Sequence, residues 1–254
     1  MNIADNDLPK VSILTPTWKR RHFLPLMIHN LKYMDYPKEK LEQVIIDDVP
    51  DTNDKLFSTQ QDINDYEKEI GIKVCYIYRP QKHLSIGEKR NMLVKNAKYK
   101  ICACLDDDDI YLPTYIKYSI NALLSDKQIG IVCSPQMLFT YPYKNYKLTA
   151  IQCPSKRQGH EATMVFTKKH FKSMGGFVKQ GNGEGAKMVD FNEKRCLKTQ
   201  IEHCMICVAH DKNTVDKERF SNDEEDGIIR VDGTLDQQIQ DIISKCLSIE
   251  PPSS

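Results

Sequence analysis

Long apolar runs are missing from this 254-residue chain. No stretch approaches the roughly 18 to 20 apolar residues needed to cross a bilayer, so any membrane association is expected to be peripheral. An excess of either charge is missing too. Lys and Arg number 36 against 35 Asp and Glu, a formal net charge of +1. That balance argues against a broad basic face for nucleic acid, although a local basic pocket for a diphosphate stays compatible with it. The first ten residues are polar and acidic, so no signal peptide is expected. No internal repeat is present. The 9 cysteines are odd in number, and several (Cys75, Cys102, Cys104, Cys133) lie inside apolar runs, where a free thiol acts as a small hydrophobe. A reducing, cytoplasmic setting is the simpler expectation.

With 40% hydrophobic and 8% aromatic residues there is enough apolar side chain for a sizeable core. The first half alternates between two periodicities. Strands are predicted over Val11 to Thr15, Gln43 to Ile46, Lys73 to Tyr78 and Ile101 to Leu105. Helices are predicted over Arg20 to Leu31, within the polar segment Asp51 to Glu69, over Ser85 to Ala97, and over Pro113 to Leu124. Ser85 and Glu88 fit a capping box, which places Ile86, Met92, Leu93 and Ala97 toward a sheet. Strands alternating with helices imply an α/β fold with a mostly parallel sheet flanked by helices. The second half is less regular. Strands are predicted over Ile129 to Tyr141, Tyr146 to Cys153, Met164 to Thr167 and Met205 to Ala209, with a Gly-rich stretch from Gly175 to Gly185. We expect one domain over residues 1–215, then an acidic linker and C-terminal amphipathic helix over 216–254. Thr234 and Gln237 suggest a second capping box. Leu235, Ile239, Ile242, Ile243, Cys246 and Leu247 form one apolar face, to be covered by the main domain or by a second copy, which leaves open a homodimer through that helix.

The strongest chemical signal is Asp106-Asp107-Asp108-Asp109, directly after a buried strand. Like charges at that spacing repel, and the carboxyl ends of strands are where open α/β sheets bind ligands. A hard divalent cation such as Mn²⁺ or Mg²⁺ would relieve the repulsion and give a diphosphate something to coordinate. The plain alternative is a solvated acidic loop. An EF-hand loop is rejected because Tyr111 stands where that loop needs glycine. Two further segments suit an anion. Thr15-Pro16-Thr17-Trp18-Lys19-Arg20-Arg21 ends a strand and opens a helix, although many surface helices begin with basic residues. In Ser85-Ile86-Gly87-Glu88-Lys89-Arg90-Asn91, Gly87 permits close backbone approach and Arg90 offers a bidentate fork; a plain capped helix is the alternative. His203, Cys204, Cys207 and His210 invite a zinc reading, but strand alternation puts the two cysteines on opposite faces.

These segments, in this order, resemble the family-2 glycosyltransferases of GT-A fold over roughly residues 10 to 215. The match includes Thr15-Pro16-Thr17, Ile46-Asp47-Asp48, the Gly-x-x-Arg-Asn helix, the acidic run with Ile110-Tyr111-Leu112-Pro113, Gly175-Gly176-Phe177 and Gly183-Glu184-Gly185. The resemblance implies an inverting enzyme that moves a sugar from a nucleotide-diphosphate donor, UDP-sugar first, to a hydroxyl acceptor such as a glycan. It implies nucleotide contacts from Thr15, Pro16, Thr17, Arg20, Asp47, Arg90, Asp106 and Asp107, and metal ligation by Asp108. His210 resembles the late histidine that closes over metal and diphosphate in some relatives; a strand-end histidine without a role is the alternative.

One departure matters. Many relatives carry Glu-Asp where this chain has Glu184-Gly185, and a carboxylate of that pair is their base. Glu184 is therefore expected to be the general base, with Asp190 as fallback; the alternative for Glu184 is a solvated residue in a flexible loop. Two rivals remain. A sugar nucleotidyltransferase would want glycine in the loop after the first strand, and Thr15-Pro16-Thr17-Trp18 has none. A nucleotide-sugar-binding protein with lost turnover is the other, and the missing carboxylate after Glu184 supports it.

Overall fold

A computed structural model describes residues 3–81, 83–153, 158–189, 195–213 and 215–249. The first half runs β1 (Val11–Thr17), α1 (Leu24–Lys32), β2 (Leu41–Asp47), α2 (Gln60–Ile70), β3 (Lys73–Tyr78), α3 (Ile86–Asn96), β4 (Ile101–Cys104), β5 (Ile110–Tyr111) and α4 (Tyr115–Leu123). The second half runs β6 (Ile131–Cys133), β7 (Gln136–Tyr141), β8 (Lys147–Gln152), β9 (Val165–Thr167), α5 (Lys168–Met174), α6 (Ala186–Val189), β10 (Cys196–Lys198), β11 (Met205–Val208), β12 (Ile228–Val231) and α7 (Gln237–Leu247).

The main sheet has the order β10-β6-β9-β4-β1-β2-β3. Strands β1 to β4 pair in parallel, and β9 is the antiparallel strand between β4 and β6. Every residue of β1 is buried, because helices cover both faces of this central strand. On one face Leu14, Val44 and Ile46 meet Leu93 and Val94 of α3. On the other, Ile13 and Ile45 share a core with Leu26, Met27 and Leu31 of α1 and with Ile116 and Ile120 of α4. This is the α/β, mostly parallel arrangement the sequence implied. A second sheet, β12-β8-β7-β11-β5, is built largely from the second half. Its last strand, β5, immediately follows the four aspartates, and β11 pairs with it through Met205 opposite Tyr111.

Register brings the chemistry to one edge. Thr17 of β1 lies level with Asp47 of β2, and the Leu105 N–H donates to Leu14 O just before the acidic run. Helix α3 starts as expected: Ser85 Oγ accepts from Glu88 N at 3.3 Å and Ser85 N donates to Glu88 Oε2 at 3.0 Å. Its inward face is less apolar than expected. Leu93, Val94 and Ala97 are buried, but Gly87, Lys89 and Arg90 take the other buried positions, while Ile86 and Met92 are only half-buried.

Several boundaries differ for physical reasons. The helix expected from Arg20 is a 3-10 turn over Arg21–Phe23 until Leu24, preceded by Lys19 at φ 55 in the left-handed region. The strand expected over residues 129–141 is two strands in different sheets, broken at Ser134-Pro135. Helix α7 is capped by Asp236, whose side chain accepts from Gln238 N, so Thr234 and Gln237 form no capping box. The segment after residue 215 is woven into the rest: β12 pairs with β8, and Tyr146 Oη donates to Gln240 O of α7 at 2.8 Å. Ile243 and Cys246 join the same core as Leu26 and Met27. That apolar face is thus closed within the chain. Among the described residues no helix is long and apolar enough to cross a membrane.

Candidate active site at the carboxyl edge of the sheet

The four aspartates after β4 are equivalent in sequence and not in space. Asp106 turns to α3, where Arg90 Nη2 meets its two oxygens at 3.0 and 3.2 Å. Asp109 turns away: its Oδ1 accepts from Lys217 Nζ at 2.9 Å and from Val208 N at 3.0 Å, and its carbonyl accepts from Asn30 Nδ2 at 2.8 Å. Asp108 Oδ2 collects His210 Nε2 at 3.0 Å, Arg20 Nη2 at 3.2 Å and Asn213 Nδ2 at 3.3 Å. Among the described residues Asp107 Oδ1 meets Arg20 Nε at 3.9 Å, and its Oδ2 is buried without a hydrogen-bond partner. The Thr17 hydroxyl lies near enough to favour the Asp107 anion without reaching hydrogen-bond geometry.

Burial and mutual repulsion push these carboxyls apart in acidity. Burial, then Asp108, raises Asp107 well above the usual carboxylate range. Burial would also raise Asp108, but the His210 hydrogen bond, Lys217 and Arg20 outweigh it and hold Asp108 below that range. Burial raises Asp106 against the opposing Arg90, and raises Asp109 to about 6 against the opposing Lys217. Adjacent buried carboxyls of which one keeps its proton would both ionise beside an added cation.

Whether the residues fit a metal turns on the donors. Among the described residues, no three or more His, Cys, Asp or Glu side chains converge on one point. Asp108 and His210 do touch, and Asp107 Oδ2 is an oxygen left over in the same turn. Hard divalent cations at nucleotide sites take one or two carboxylates and draw further ligands from phosphate and water, so this partial set fits. His210 is built in: its ring lies 5.0 Å from that of Phe23, and its Nδ1 accepts from Lys212 N at 3.2 Å. Burial lowers its pKa despite Asp108, favouring the neutral ring.

The other expected nucleotide contacts divide. Thr15 Oγ1 accepts from Gln43 Nε2 at 2.9 Å inside the core, and Pro16 is buried within β1. Asp47 is fully engaged by Val49 N, Leu56 N and the Tyr76 hydroxyl, at 3.3, 2.9 and 2.7 Å, so it pins the loop after β2. Thr17 stands at the edge itself, its carbonyl accepting from Lys89 Nζ at 2.9 Å. Asp48, which was not singled out, is bound by Lys89 Nζ at 2.5 Å and His83 Nδ1 at 3.2 Å. Arg20 leans on Asp108 and donates to Lys212 O at 2.5 Å.

Arg90 ties two halves of the site together. Its Nε donates to Glu184 Oε1 at 2.8 Å, and its Nη1 is buried without a partner among the described residues. The loop carrying Glu184 is docked on α3. Asn91 Nδ2 donates to Phe177 O at 2.8 Å and Asn91 Oδ1 accepts from Phe177 N at 2.9 Å. A side chain at Gly87 would begin 1.8 Å from Val178 O, so the close approach this glycine permits is to its own chain. Beside Glu184 lies Glu161, from the 3-10 turn before β9, its Oε1 facing Gly185 N at 3.4 Å. Asp190, the fallback base, lies outside the described residues.

Cys204, Cys207 and His203 go to separate neighbours. Cys204 Sγ donates to Gln200 O at 3.3 Å, Cys207 Sγ lies 3.8 Å from His160 Nε2, and the His203 ring packs on Tyr118. Glu161, Lys217, Asp48 and Lys89 join the site although sequence reasoning gave them no role there. Lys89 is the one with a local signal, one residue before Arg90 on a capped helix.

Known proteins share this frame. An uncharacterized glycosyltransferase of Rickettsia prowazekii (strain Madrid E) is 24% identical over 155 residues, 60% of this chain and 43% of that protein. The poly(ribitol-phosphate) beta-N-acetylglucosaminyltransferase TarS of Staphylococcus aureus (strain Mu50 / ATCC 700699) is 26% identical over 100 residues, 39% of this chain and 16% of TarS. The matched stretch therefore spans less than half the length of these relatives. Among solved structures, the mannosyltransferase PcManGT of Pyrobaculum calidifontis, in complex with GDP-Man and Mn2+, superposes with a TM-score of 0.59 at 15% identity, covering 82% of this chain and 59% of that one. S. aureus TarS 1-349 in complex with UDP-GlcNAc superposes with a TM-score of 0.59 at 14% identity, covering 81% and 60%. The GT-A fold follows from these superpositions, and because the model of glycosyl transferase family 2 matches residues 12–181, the chain belongs to that family.

Proposed function

We propose that this protein is an inverting, metal-assisted glycosyltransferase that moves a sugar from a nucleotide-diphosphate donor, UDP-sugar first, to an acceptor hydroxyl on a glycan or similar molecule. The observation that carries the reading is the orphaned Asp107 Oδ2 beside Asp108 and His210, at the sheet edge where Thr17, Asp48 and Lys89 also meet. Asp108 and His210 would hold Mn²⁺ or Mg²⁺, with Asp107 nearest to complete the set. The cation, when bound, supplies positive charge to the leaving diphosphate.

The rest falls to this chain's own groups. Thr17 and the Asp48–Lys89 pair line the edge of β1 and β2 where the nucleoside would lie. Asp47 keeps that wall in shape through the loop it pins. Arg20, already among the aspartates, would turn from Asp108 toward a phosphate. Arg90 holds Asp106 for the ribose and fixes Glu184 next to it. The acceptor hydroxyl gives its proton to a carboxylate near Glu184 as it attacks the anomeric carbon opposite the diphosphate. The mannosyltransferase bound to GDP-Man and TarS bound to UDP-GlcNAc support a nucleotide-sugar donor and leave the base open. Calorimetry of UDP and of GDP, each with and without Mn²⁺, tests the reading: binding that ignores Mn²⁺ would sink the metal assignment. Glu184, tied to Arg90, adds to the missing carboxylate at Gly185 as support for a donor-binding protein without turnover. Release of free nucleotide diphosphate in the presence of acceptor separates that reading from an enzyme.

A further inference from the structure

Glu184 is an awkward general base. One of its oxygens is taken by Arg90 Nε at 2.8 Å, and the residue is only 4% exposed. An oxygen so held is already occupied and cannot also receive an acceptor's proton without giving up Arg90. Glu161 has the opposite surroundings. It sits at the carboxyl end of β4, since Cys104 N donates to Met164 O three residues beyond it. It is half-buried, and among the described residues its carboxylate meets a long contact from Gly185 N and its own backbone N–H, with no cation paired to it. Its place depends on the missing side chain at residue 185: a Cβ there would lie 2.6 Å from Glu161 Cγ and 2.5 Å from Met164 Cε. Glu161 thus fills the space that a side chain at residue 185 would need.

We propose that Glu161 is the general base of this site, and that Glu184 is the fixed anion beside it. The proposal rests on the glycosyltransferase reading. In the step, the acceptor O–H proton passes to the Glu161 carboxylate as the acceptor oxygen bonds to the anomeric carbon. The bond from that carbon to the donor phosphate breaks, its electron pair stays on the diphosphate, and Glu161 later returns the proton to solvent. The groups facing Glu161 suit the task. Burial raises its pKa to about 7, Glu184 adds to the rise, and its own backbone N–H, Arg90 and Gly185 N oppose it; among the described residues the Cys104 and Cys153 thiols also lie near it. A base that titrates near the working pH combines an available anion with real affinity for the proton. Glu184 keeps a task that a packing residue would not have, since its charge adds to the rise that burial begins.

The test uses full-length protein with Mn²⁺ and two donors, UDP-GlcNAc and GDP-Man. Release of UDP or GDP is followed against pH with a set of sugar and polyol acceptors. Glu161→Gln should lower release by roughly 10² to 10⁴-fold while calorimetric UDP binding stays within a few-fold, which also shows that the variant folds. Glu161→Asp should keep part of the rate. Glu184→Gln should move the rise of rate with pH to lower pH, because the neighbouring charge is gone. If Glu161→Gln releases nucleotide at close to the wild-type rate with the same pH profile, the proposal is overturned and the base lies elsewhere. If the wild-type protein releases nothing from either donor with any acceptor, the glycosyltransferase reading itself fails for these donors and takes the proposal with it.

Discussion

Lys217 Nζ lies 2.9 Å from Asp109 Oδ1, joining the segment after β11 to the last of the four aspartates 108 residues before it. The same oxygen accepts from Val208 N, so the pair locks the acidic turn to the second sheet as well. Lys217 also holds Asp109 apart from Asp107 and Asp108, which both face Arg20, with His210 on Asp108.

Lys217→Met should be costly for that reason. Breaking a buried pair from one side leaves an unpaired charge, at about 3 to 5 kcal/mol. Urea unfolding should show a loss of that order, and adding Asp109→Asn should recover part of it. A loss below about 0.5 kcal/mol, the level of an ordinary surface change, would mean the pair is not buried in solution.

Such long-range pairs mark where legibility stops. The capping box of α3 was readable because Ser85 and Glu88 are three residues apart, and β3 because its composition is strand-like over its whole length. The carboxylates at the end of β4 were readable because parallel strands bring ligands to that edge. Which aspartate faces which cation was not, since Lys217, Arg90 and His210 arrive from elsewhere in the chain. Strands β5, β10 and β12 are two to four residues long and exist through their partners, such as β12 along β8, rather than through periodicity. Glu161 is a lone glutamate before an apolar strand, and only the packing against Gly185 gives it meaning.

Asp108→Ala should remove most of the Mn²⁺ dependence of UDP binding, because Asp108 is where His210, Arg20 and Asn213 converge. Asp109→Asn, on the far side of the turn, should leave that dependence largely in place. Calorimetry with and without Mn²⁺ reads both variants. A stronger effect at Asp109 than at Asp108 would reverse the proposed ligand assignment.

The C-terminal helix should matter for stability and not for the donor. Ile243 is fully buried in the core it shares with Leu26 and Met27 of α1, and the Tyr146 and Ser244 hydroxyls meet at 2.7 Å. Ile243→Ala should cost about 2 to 5 kcal/mol, the usual range for such a truncation. UDP affinity should stay within a few-fold. Cutting the chain before Thr234 should expose the apolar face of α1 and promote association, measurable by light scattering. A truncated protein that is equally stable and monomeric, yet fails to bind UDP, would place the helix in the site.

Glu161 should leave a mark on stability that does not depend on turnover. Its folded pKa is raised from 4.5 to about 7, chiefly by burial and then by Glu184. Between those values the folded state holds a proton that the unfolded chain releases. Folding stability must then fall as pH rises through that window, and the penalty is complete above the folded pKa. A displacement of that size corresponds to roughly 3 kcal/mol at most. Glu161→Gln cannot ionise and escapes the penalty. Relative to wild type the variant should therefore gain stability between about pH 5 and about pH 8, by up to that amount. Below pH 4.5, where Glu161 is protonated in both states, the difference should no longer change with pH. Urea unfolding of both proteins across this range gives the comparison directly. Parallel curves from pH 5 to pH 8 would mean that Glu161 titrates as an ordinary exposed carboxylate, and its place as the base would lose its electrostatic support.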